Sequence, residues 1–164
     1  MRWALALMAA LMICTVPAAM AAKPEKAPEK GKKELQDAPG RVAIAKANDK
    51  ATFQKENTAT KEFASGKIVR FTPADLSGMN DEEIGHGCVI GILDTERATP
   101  DGLEPGKYRV FTRKHGNHWQ VFYCQKDDAV MKASDTTNVD GNEHKPKFEE
   151  SGQRLHYWFL KFSY

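Results

Sequence analysis

KYRVFTR at residues 107–113 and HWQVFYC at residues 118–124 decide the fold. In both runs the apolar side chains recur at every second position, the period of a strand and not of a helix. Tyr108, Val110 and Thr112 share one face of the first run, and Trp119, Val121 and Tyr123 share one face of the second. His115, Gly116 and Asn117 stand between them and supply the residue types of a tight turn. A two-residue turn here sets the two triplets against each other, so the runs predict an antiparallel hairpin with one apolar face. The other face, Arg109, Phe111 and Arg113 against Gln120, Phe122 and Cys124, is mixed and is expected to be partly covered.

Strand signals extend outward from this hairpin. KIVRF (67–71) alternates and stops at Thr72 and Pro73, and the acidic, turn-rich stretch 74–87 reads as a loop or a short helix. CVIGILD (88–94) is a short apolar run rich in β-branched residues and predicts a central strand. Gly91 within it marks a place where a neighbour approaches closely. Pro100-Asp101-Gly102 and Pro105-Gly106 are turn signatures. After the hairpin, residues 127–148 are polar apart from Ala129, Val130 and Met131, with Asp140-Gly141 read as a turn. RLHYWFLKF (154–162) then predicts a long last strand, with Leu155, Tyr157, Phe159 and Lys161 on one face and His156, Trp158, Leu160 and Phe162 on the other. Two largely apolar faces imply a strand covered on both sides, or one that turns an aromatic face to a ligand. Residues 41–65 are ambiguous: VAIA (42–45) reads as the opening of a strand, and Asn48 or Asp49 as the cap of a helix through QKENTATKEF. The expected fold is mainly β, a small antiparallel β-sandwich or partly open barrel over residues 66–164, with room for one short helix.

The N-terminus reads as a targeting segment. Arg2 precedes the apolar run WALALMAALMICTV (3–16), Pro17 breaks it, and Ala19-Met20-Ala21 places small residues where a signal peptidase cuts. Residues 1–21 are therefore expected to be a signal peptide and the protein to be periplasmic or secreted. Residues 22–40 mix lysines 23, 26, 30, 32 and 33 with Glu25, Glu29, Glu34 and Asp37 around one large apolar residue, Leu35. Too little surface can be buried there to offset ordering, which predicts a disordered tether. Signal removal leaves Cys88 and Cys124 in an oxidising compartment, so a disulfide between them is expected, worth about 4 kcal/mol through loop closure.

Composition limits the function. The chain has 164 residues, 41% of them hydrophobic and 28% charged, enough for one domain. Its net charge of +2 gives no bulk field for a nucleic acid or a membrane surface. His86, Cys88, His115 and His118 are soft ligand types, but a bridged Cys88 and histidines at a turn do not make a metal site. Asn138-Val139-Asp140-Gly141 resembles the middle of a calcium loop; aligned on Gly141, its first and twelfth ligand positions hold Thr136 and Lys147 where carboxylates belong. Glu82, Glu83 and His86 lie near one another in sequence, yet no nucleophile motif accompanies them. No cofactor or catalytic residue is expected.

What remains is a non-catalytic binding role toward an envelope polymer, a carbohydrate or a protein. The residues expected to carry it are Arg109, Arg113, His115, His118 and Trp119, which combine charge-assisted donors with a stacking surface for an anionic or carbohydrate ligand. Two alternatives stand beside it. One is an inhibitor of an extracellular hydrolase presenting a rigid loop such as 134–147, and the other an envelope hydrolase.

Overall fold

The computed structural model describes residues 35–164, without the side chains of residues 141–143. The signal-peptide reading, and the tether as far as residue 34, lie outside the described residues. Six strands follow one another as antiparallel neighbours in a single open sheet: β1 (Ala59–Glu62), β2 (Ile68–Pro73), β3 (Cys88–Thr95), β4 (Gly106–His115), β5 (His118–Gln125) and β6 (Asp128–Lys132). β7 (Thr136–Phe148) and β8 (Arg154–Ser163) pair as a separate two-stranded ribbon. The helices are α1 (Arg41–Lys50) and α2 (Asp81–His86).

The decisive hairpin has the predicted register. Val110 faces Tyr123, Thr112 faces Val121, and His115 closes on His118 across Gly116 and Asn117. Gly116 takes a φ of 59°, the left-handed conformation such a turn requires. Around it the sheet is covered on both sides. On one face Val69, Phe71, Leu93, Val110, Val121 and Tyr123 pack against Leu155, Tyr157, Leu160 and Phe162 of β8. On the other, Ile44 and Ala47 of α1 pack against Val89, Phe111, Phe122 and Cys124. Burying Ile44 completely contributes about 1.5–3 kcal/mol to holding the helix there. The layers are helix, sheet and ribbon. Asp101 joins the sheet to the ribbon, accepting from Ser134 N–H (2.9 Å) and Ser134 Oγ (2.8 Å) and donating its own N–H to the Tyr164 carbonyl.

Four expectations are corrected. The ambiguous stretch folds the other way round: RVAIAKANDK is the helix, because its alanines favour helix and Ile44 and Ala47 stand three apart on one face, while Ala59–Glu62 pairs with β2. The sheet therefore begins at Ala59, before the expected boundary at 66. The polar stretch read as a loop around 134–147 is strand β7, and Asp140-Gly141 lies inside it.

The Cys88–Cys124 bridge does not form: both cysteines are free and buried. Cys88 lies opposite Thr112 on one side of β4, and Cys124 opposite Arg109 on its other side. Two strand spacings, about 10 Å, separate them before the stagger along the strands is added. They also face different layers, Cys88 toward β8 and Cys124 toward α1. A disulfide needs Cα atoms within about 7 Å. Burial pushes both thiols up to about 12, so they stay neutral and inert; at Cys124 the carboxylates of Asp128 and Asp127 add to the effect.

The fourth correction concerns β8. Leu155 and Tyr157 are buried, and so are Leu160, Phe162 and Tyr164, at 2% exposure or less. An unbroken strand would put the first pair and the last three on opposite faces. Trp158 reconciles them, because its φ of 57° inserts a bulge that flips the phase. Pairing with β7 slips at the same place: Leu160 faces Asn138, whereas Trp158 faces Glu143. β8 thus has a single apolar face with a break in it.

Candidate functional site

The residues singled out at the hairpin divide between the two faces of the sheet. Arg109 lies under α1, where its guanidinium donates to the Asn48 carbonyl (3.3 Å) and side-chain oxygen (3.2 Å) and sits over the Phe53 ring. Arg113, on the same face, donates to Gln120 Oε1 (3.2 Å) and to the Asp37 carbonyl, and lies over Phe122. Both arginines fasten the N-terminal segment to the sheet. Trp119 points to the opposite face, packed against Phe159 of β8 with ring centroids 4.8 Å apart and planes tilted by 55°. His115 and His118 are exposed at the tip. Charge and stacking surface are thus kept apart by the sheet. A hollow beside the tip is lined by Asp81, Glu82, Gly85, His86, Lys114 and Gly116, with no Trp, Tyr or Phe among these lining residues. No group of three or more His, Cys, Asp or Glu among the described residues is placed to hold a metal ion. Among the same residues, no helix is long and apolar enough to cross a membrane.

Aromatic and polar groups do meet at the β8 bulge. A cleft of about 220 Å³ there is lined by Trp158 and Tyr157, by Gln54 and Asn57, by Asp75, Leu76 and Ser77, and by His144 and Lys145 of β7. The walls are held by contacts among the lining residues and by the strands behind them. Residues 55–57 form one 3-10 turn, within which Asn57 donates its amide to Gln54 Oε1 at 2.9 Å. The Gln54 N–H donates to the Pro73 carbonyl and the Asp75 N–H to the Thr52 carbonyl, stitching this turn to the loop after β2. Beneath that loop, buried Tyr157 donates its hydroxyl to the Ala74 carbonyl at 2.7 Å. Trp158 makes an edge-on contact with His144, with ring centroids 4.5 Å apart at 84°.

Left-handed backbone at a tryptophan is rare and costs on the order of 1–3 kcal/mol, so the surrounding packing must over-determine it. Its consequence is local. Continuing the alternation would send residue 158 to the outer face of the ribbon; the bulge re-aims it beside the loop 74–77. Asp75 is the charged acceptor of the cleft. The Ser77 backbone N–H, bonded to its carboxylate at 3.0 Å, holds it below the usual carboxylate range. It stays ionised at neutral pH and accepts hydrogen bonds. Lys145 supplies a charged donor, and the two amides supply paired donors and acceptors. A volume below the ~300–1,000 Å³ of drug-sized sites suits a small polar ring, or the terminal unit of a longer ligand.

The sequence carried a trace of this cleft. A last strand that reads as apolar on both faces is what a phase flip looks like before the flip is located. Gln54, Asn57, Asp75 and Ser77 gave no such sign, since their convergence depends on the pairing of Phe53 with Ala74.

A second cavity lies on the other flank of the same loop. It is a groove of about 300 Å³ between α1 and α2, floored by Ala47, Leu76, Cys88 and Val89 and edged by Lys46, Lys50, Glu83 and His86. Asp75 and Leu76 line both cavities.

Comparison with protein families, with curated proteins and with solved structures finds no match for this chain.

Proposed function

We propose that this protein is a periplasmic or secreted domain that binds a saccharide of the cell envelope at the Trp158 cleft without transforming it. The observation that carries the reading is the bulge that sets an indole beside two amides, an ionised carboxylate and an ammonium. Sugars ask for this combination. Their C–H faces bury area against an aromatic ring, and their hydroxyls pair with planar amides and carboxylates that accept and donate at fixed angles. A preorganised wall matters because every loop that need not be ordered on binding saves affinity.

Binding without turnover fits the chemistry of Asp75. Hydrolysis of a glycosidic bond uses two carboxyl groups, one of them kept protonated by a raised pKa. Asp75 is the one carboxylate among the described lining side chains, and it is shifted the other way.

Calorimetric titration of the protein with methyl glucoside, methyl mannoside and N-acetylglucosamine tests the reading. At least one is expected to bind with millimolar affinity, and Trp158→Asn is expected to abolish it. Asparagine tolerates left-handed backbone, so the variant keeps the local conformation while removing the indole together with its contacts to His144 and Tyr157, and a thermal melt checks that it folds. Absence of binding by all three, or undiminished binding by the variant, would refute the proposal.

A further inference from the structure

The cleft and the groove are two flanks of one loop, and their linings differ in kind. Past Asp75, the aromatic and amide groups around Trp158 give way to Ala43, Ala47, Leu76, Met79 and Val89. The lysines edging the groove do not spoil its apolar character, since a lysine stem covers hydrocarbon while its head stays in water. A sugar alone leaves the groove empty, and a hydrocarbon alone has no use for the cleft. A ligand that is polar at one end and apolar at the other satisfies both, with Asp75 at the junction where a headgroup hydroxyl is still available to donate.

We infer that the ligand is a glycolipid-like amphiphile, its sugar against Trp158 and its acyl or alkyl tail along α1 over Leu76 and Val89. The inference rests on the saccharide reading of the cleft and adds the tail. It also gives the two lysines a role: Lys46 and Lys50 border the tail path, where the long α1 side chains shield hydrocarbon from water.

Methyl, butyl, hexyl and octyl glucoside, each below its micelle concentration, form the test series for calorimetry on the intact protein. Affinity is expected to rise about two- to fourfold for each added methylene until the groove is full. Ala43 is exposed and lines the groove, so Ala43→Trp fills it without entering the core. That variant is expected to bind all four glucosides with the affinity of the methyl compound. Equal affinity across the series in the unmodified protein overturns the tail while leaving the sugar site standing. A tail-length dependence that survives Ala43→Trp also overturns it, because the tail then lies elsewhere. Octyl glucoside binding with no binding of methyl glucoside, methyl mannoside or N-acetylglucosamine overturns this inference and the saccharide reading together.

Discussion

Gly91→Ala should be among the most damaging small substitutions in the molecule. A Cβ on residue 91 would stand 2.3 Å from Cζ and 2.7 Å from Cε2 of Phe71, and 2.7 Å from the Thr72 carbonyl oxygen. Carbon atoms rest at about 3.5–4.0 Å, so the ring would have to retreat by more than ~1 Å. It has nowhere to go: Phe71 is fully buried and wedged between Tyr157, 5.6 Å away, and Phe162, 6.2 Å away. The second obstacle is backbone of the neighbouring strand and cannot rotate aside. Overpacking of this kind costs about 1–3 kcal/mol, and two unyielding neighbours place it at about 2–3. For a domain of this size that lowers Tm by roughly 6–15 °C, read by circular dichroism or calorimetry. Phe71→Leu removes the ring, so the double variant should be at least ~1 kcal/mol more stable than the two separate losses imply. A Gly91→Ala protein that melts within a degree or two of the parent, or strict additivity in the double variant, would show that β2 and β3 do not approach as described.

The buried thiols are expected to resist labelling in the native protein at pH 7–8. Both Cys88 and Cys124 should label in denaturant without any reductant, and mass spectrometry showing a bridge between them would refute the sheet order. Arg109→Ala should loosen α1 by removing its bonds to Asn48, at a cost of about 1–2 kcal/mol in thermal unfolding, while leaving saccharide affinity unchanged. A loss of affinity with unaltered stability would return the site to the hairpin. Asn80→Ala breaks the capping box in which the Asn80 side chain and Glu83 bond each other's backbone N–H groups. The expected loss is about 1 kcal/mol, and an unchanged Tm would show the cap to be idle.

Strand pairing was legible wherever two alternating runs sat close in sequence. Residues 107–124 carry their own turn, so the register of β4 and β5 follows from local pattern alone. The centrality of β3 and the tight approach at Gly91 were legible for a different reason, a continuous apolar run with a glycine inside it. The cysteine pairing was not, because it depends on β4 lying between β3 and β5, a long-range fact that no local pattern states. α1 was misread because RVAIAKANDK is short and its choice between helix and strand is made by the pocket over Phe111 and Phe122. Arg109 and Arg113 had the chemistry of ligand-binding residues, and the same chemistry serves to hold α1 at Arg109 and the segment before it at Arg113. The Trp158 cleft was half legible: its strand pattern looked double-faced, and only the backbone of one residue turns that pattern into a site.

The claim on which everything functional depends is that a sugar ring lies against Trp158. Its indole N–H resonance, distinguished from that of Trp119 by single substitution, reports the contact directly during titration with methyl glucoside. The Trp158 signal is expected to shift in saturable fashion while the Trp119 signal, packed on Phe159 away from the cleft, stays in place. A Trp158 signal that does not move while Trp119 shifts would contradict the account.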